Sequence, residues 1–76
     1  MAFSTIKLAF ALHGRQITSF AEASIFVERL DVSKQNLPHW QMARQGLHNA
    51  SISEGAEDLA WREFRKALAV EGWLST

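Results

Sequence analysis

Cysteine is absent from the 76 residues of this chain, which excludes a disulfide scaffold, a thiolate zinc site and a cysteine nucleophile together. Charge of one sign is missing too: eight Lys and Arg face eight Asp and Glu, for a formal net charge of zero. That balance argues against a strongly basic nucleic-acid binder and against an acidic mimic of DNA. Proline occurs once, at Pro38, and glycine four times without clustering, so no phosphate-cradling glycine loop is present. No apolar run approaches the roughly 20 residues that a membrane-spanning helix needs. The opening MAFSTIKLAFALHG has a lysine and a short apolar stretch in the manner of a secretion signal. No small-x-small cleavage pattern follows it, so a cytoplasmic chain is expected.

What is present is an ordinary globular balance, 47% hydrophobic and 21% charged. At roughly 100–200 residues per domain, residues 1–76 make a single domain. Residues 3–12 alternate: Ile6, Leu8, Phe10 and Leu12 share one face, with Lys7, Ala9 and Ala11 on the other. Gly14 can take the positive φ of a hairpin turn, and Arg15 to Thr18 form a short return strand. Ser19-Phe20-Ala21-Glu22 reads as a capping box, which predicts a first helix ending near Leu30-Asp31.

Ser33 to Pro38 is a polar connection. Pro38 suits the first turn of a second helix, with Asn36 as its expected cap. Leu37, Trp40, Ala43, Leu47 and Ala50 line one side of that helix, and Gly46 suggests a close approach of backbones. A third helix is predicted to open at Ser51-Ile52-Ser53-Glu54. Glu57 and Asp58 favour its positive end, and Asp58–Arg62 has helix-pair spacing. Ala60, Trp61, Phe64, Ala67 and Leu68 supply its apolar face, and Gly72 stops it. Trp73-Leu74 is then free to fold back onto the core. The expected fold class is α+β: an N-terminal β-hairpin followed by three helices packed on one face of the sheet.

Gly14, Ser19 with Glu22-Ala23, Ala43, Leu47, Ala50, Phe64, Ala67 and Gly72 together form a recognisable order of features. In that order the chain resembles a family of short bacterial proteins of unknown function, common in rhizobia and related alphaproteobacteria. That family usually has Arg where this chain has Trp61, and Trp-Pro where it has Leu37-Pro38. The resemblance implies a small single-domain protein and supplies no activity, substrate or ligand.

The residues that could carry chemistry point away from catalysis. His39 and His48 lie about two and a half helical turns apart and cannot share a metal. His13 belongs to the hairpin turn. The serines read as caps or loop residues, and no Gly-x-Ser-x-Gly elbow occurs. Glu57 and Asp58 point about 100° apart on a helix, which suits a helix start better than acid–base work. No catalytic residue, metal, cofactor or small-molecule substrate is expected.

A binding role remains. Most of the three Trp and five Phe are expected in the core, but a single protomer is not expected to bury all three Trp. Trp40, Arg44 and Trp73 are therefore the candidate partner contacts, because Trp and Arg anchor many interfaces. A two-stranded hairpin also leaves an unpaired edge, and pairing with a second copy is the simplest remedy. The expectation is a small non-catalytic protein-interaction or regulatory domain, acting through an apolar or aromatic patch or through the hairpin edge. A homodimer is its expected form. The alternative is a weak nucleic-acid-binding regulator using Arg62, Arg65 and Lys66. Against it, residues 51–76 carry three basic and five acidic side chains.

Overall fold

In the computed structural model, which describes residues 3–9 and 14–74, the chain runs from a short hairpin into four α-helices. β1 (Ile6–Lys7) and β2 (Gln16–Ile17) pair antiparallel, with Ile6 opposite Ile17 and Lys7 opposite Gln16. Alternation turns Ile6, Leu8 and Ile17 into the core while Lys7 and Gln16 face outward. The ladder continues with Leu8 N–H donating to Arg15 C=O at 2.8 Å. Gly14 N–H donates to Ala9 C=O at 3.3 Å, which closes a connection wider than a two-residue turn. Gly14 itself has φ +62°, a conformation that favours glycine. The expected strand residues Phe10 to Leu12 and the turn residue His13 lie outside the described residues.

α1 (Phe20–Glu28) starts where the capping pattern places it. The Glu22 N–H donates to Ser19 Oγ at 3.1 Å. The reciprocal bond differs: Glu22 accepts from the N–H of Thr18 (2.9 Å) and from the Thr18 hydroxyl, not from Ser19. Thr18 offers two donors on one residue, and the carboxylate takes both.

The predicted loop contains a fourth helix, α2 (Val32–Gln35). No glycine or proline interrupts residues 31–37, and one helical turn lets two side chains seal neighbouring elements. Gln35 Nε2 donates to the carbonyls of Glu28 (3.0 Å), the last residue of α1, and Leu30 (2.8 Å), just beyond it. Asn36 consequently ends α2 and does not cap the next helix. α3 (Pro38–Ile52) has Leu37 at its N-cap without a side-chain bond, and Pro38 in its first turn as expected.

The last helix also begins later than Ser51 to Glu54 suggests. α3 continues to Ile52, a 3₁₀ turn covers Glu54–Ala56, and α4 spans Glu57–Glu71. α3 and α4 form an antiparallel hairpin, and Gly46 packs tightly against α4. A Cβ built there would lie 3.3 Å from Ala60 Cα. α4 stops at Gly72 (φ +75°), and the Trp73 N–H reaches back to the Leu68 carbonyl at 2.9 Å.

The core lies between the hairpin, α1, α3 and α4. Ile6, Leu8, Ile17, Ala23, Val27, Trp40, Ala43, Leu47, Ala60, Phe64, Ala67 and Leu68 are buried. Trp61 ties α4 to the start of the chain, donating from Nε1 to the Ser4 carbonyl at 2.8 Å.

Candidate functional site

The aromatic residues expected at the surface have gone largely inward. Trp40 is 0% exposed, so its candidacy as a partner contact is corrected. Its indole packs with Phe26, Phe64 and Trp73, at ring-centroid distances of 6.1, 6.3 and 5.9 Å. The physical reason is position: Trp40 sits in the first turn of α3, where the α1, α4 and tail contacts converge. Trp73 is half-buried on the same cluster, with Lys34 Nζ 5.5 Å from its ring centroid.

A polar clasp closes the cluster. Lys34 Nζ lies 2.7 Å from Glu71 Oε2, and Trp40 Nε1 donates to the same oxygen at 3.3 Å. The Lys34 hydrogen bond is the largest influence on Glu71 and lowers its pKa. Burial opposes it, while the Trp40 N–H and the Lys34 charge add to the lowering. A carboxylate whose pKa is lowered in the folded state contributes stability above its ordinary value, and loses it as pH falls through the folded value. Unfolding in urea should therefore become easier as pH drops below about 4.5, the ordinary glutamate value. Glu71→Gln should flatten that part of the profile; an unchanged slope would show that the clasp is not the source.

One edge of the hairpin is met in part by the C-terminal end of the described chain. Leu74 forms an antiparallel bridge with Leu8, and the Ala9 N–H donates to the Trp73 carbonyl at 2.6 Å. The tail thus lies beside the chain just after β1, at Leu8 and Ala9. The Ala9 N–H at this end of β1 is therefore already used.

Arg44 is exposed and borders a cleft of about 260 Å³ between α1 and α3, with Glu28 and His48 around it and Val27 and Leu47 beneath. The Ser51 hydroxyl in this cleft donates to the His48 backbone carbonyl at 2.6 Å. The bond runs to the backbone carbonyl of His48 and not to its imidazole. Among the described residues, no three His, Asp or Glu side chains gather as a metal would require. No described helix is long and apolar enough to cross a membrane. No protein family, curated protein or solved structure matches the chain.

Of the three basic candidates on α4, Arg62 is engaged in an exposed i,i+4 pair with Asp58 at 3.2 Å. Arg65 and Lys66 are exposed. At 100° per residue, Arg65 lies with Asp58 and Arg62, whereas Lys66 lies on another side with Leu59, Glu63 and Val70.

That other side holds the feature the sequence reading passed over. Met42 on α3 and Leu59 on α4 are 52% and 59% exposed and flank a groove completed by Gln45, Gly46, Asn49 and Glu63. Val70, also 59% exposed, continues the line along α4. The signal was available: Met42, Leu59 and Val70 are large apolar residues out of phase with the core stripes of their helices.

Proposed function

We propose that the chain is a non-catalytic protein-binding domain whose contact surface is the outer side of the α3–α4 hairpin. The observation that carries this reading is the pairing of Met42 and Leu59, large apolar side chains more than half exposed on either side of one groove. Single exposed apolar residues are normal, but neighbours rimmed by polar residues mark contact surfaces. Gln45, Asn49 and Glu63 supply that rim. The reading also gains from what the fold closes elsewhere, since Trp40 is in the core and the tail meets one edge of the hairpin in part. A cytoplasmic setting fits the cysteine-free sequence. Nucleic-acid binding has less support, because Asp58 offsets Arg62 and the remaining cations occupy two sides of α4.

The test compares capture from host lysate by the wild-type chain, by Met42→Asp/Leu59→Asp, and by Val32→Asp. Val32 is a control, 74% exposed in α2. Partners, including the chain itself, should be kept by wild type and Val32→Asp and lost by the double variant, with circular dichroism unchanged. Retention of every partner by a folded Met42→Asp/Leu59→Asp variant would overturn the reading.

A further inference from the structure

We propose that the occupant of this surface is a second copy of the chain, docked α4 against α4 in antiparallel orientation about a two-fold axis. The inference rests on the binding role of the α3–α4 face and names its partner. Leu59, Glu63, Lys66 and Val70 step by four, three and four residues, the spacing of a coiled-coil seam. At 100° per residue they occupy an arc of about 60°, apart from the core line of Ala60, Phe64, Ala67 and Leu68. Their order reads apolar, acidic, basic, apolar from one end and apolar, basic, acidic, apolar from the other.

A two-fold axis between Glu63 and Lys66 sets these two complementary orders face to face. It sets Leu59 against the partner's Val70 and Glu63 against the partner's Lys66, and each pairing then occurs twice, as an isologous contact requires. Within the chain neither Glu63 nor Lys66 has an ion pair or side-chain hydrogen bond among the described residues, so both charges are open to a partner. A parallel arrangement would instead oppose Glu63 with Glu63 and Lys66 with Lys66, which is repulsive. Met42 lies across the groove from Leu59 and Glu63 and adds apolar surface at the flank. The seam is short, so the dimer is expected to dissociate in the range of about 10 µM to 1 mM.

Sedimentation equilibrium at low salt tests the seam through its charges. E63K leaves only positive charge on it and K66E only negative, so each alone should weaken self-association at least about tenfold. An equimolar mixture of the two should associate as heterodimers, because each supplies the charge the other lacks. E63K/K66E should restore the homodimer, since it only reverses the order of charges. The double variant also shows that both positions tolerate the changes. A wild-type chain that stays monomeric to about 1 mM, or a mixture that associates no better than its components, would overturn the proposal. If the chain is monomeric while Met42→Asp/Leu59→Asp still loses its lysate partners, the seam fails and the binding role stands. If that variant loses nothing, both fail.

Discussion

Trp40→Ala is expected to remove about 3–5 kcal/mol of folding stability, the usual cost of emptying a buried Trp site. The indole is wholly buried and meets Phe26, Phe64 and Trp73, so one truncation strips a face from each of three rings. It also removes the N–H that Glu71 accepts from α3. At roughly 0.05–0.15 kcal/mol per residue, a chain of this length has about 4–11 kcal/mol in total. The variant should therefore be marginally folded or unfolded at room temperature, as read by far-ultraviolet circular dichroism in a urea titration. Trp40→Phe keeps most of the packing and loses the indole N–H, so it should fall between the two. A Trp40→Ala chain within about 1 kcal/mol of wild type would mean that the aromatic cluster does not hold α1, α3 and the tail together.

The second large effect lies where α3 meets α4. At Gly46 an added Cβ would sit 3.3 Å from the Cα of Ala60, and that neighbour is backbone that cannot rotate away. Gly46→Ala sets this tight contact against a helix-propensity gain of about 1 kcal/mol, so little net change is expected. Gly46→Val adds two γ-carbons with restricted rotamers beside the same backbone. Forcing the helices apart should cost about 1–3 kcal/mol. Urea midpoints for the two variants give the comparison, and a valine variant as stable as the alanine variant would show that the α3–α4 spacing is slack. The outcome bears on the binding surface as well, because Gly46 lines the groove between Met42 and Leu59.

These two positions show how unevenly the fold could be read in advance. The Gly46 contact was legible, since a glycine inside an apolar-periodic helix has few other uses. Trp40 was assigned to the core stripe of its helix and also proposed as a surface anchor, and periodicity could not choose between them. Burial of a side chain in the first turn of α3 depends on whether α1, α4 and the tail close around it, and those contacts span many residues of chain. Asn36, and Ser53 within the Ser51–Glu54 opening, point to helix starts by composition for a related reason. Both are good caps by composition, yet each ends a helix here: Asn36 closes α2, and Ser53 closes α3. Cap chemistry marks a helix boundary more securely than it marks which side of that boundary is helical.

Rules acting within four residues were enough to place the inward face of the hairpin, the Ser19 start, Pro38 in a first turn, the Asp58–Arg62 pair and the Gly72 stop. Each depends on a φ preference, a local hydrogen bond or the helical period, and a linear string displays all of these. Folding in three dimensions decided the rest. It brought Leu74 to Leu8, Glu71 to Lys34 and Trp40, and three tryptophans into one body. It also left Met42, Leu59 and Val70 outside. Contacts between distant residues have no local signature, because they depend on the relative placement of whole helices, and that placement is settled only when the full core packs.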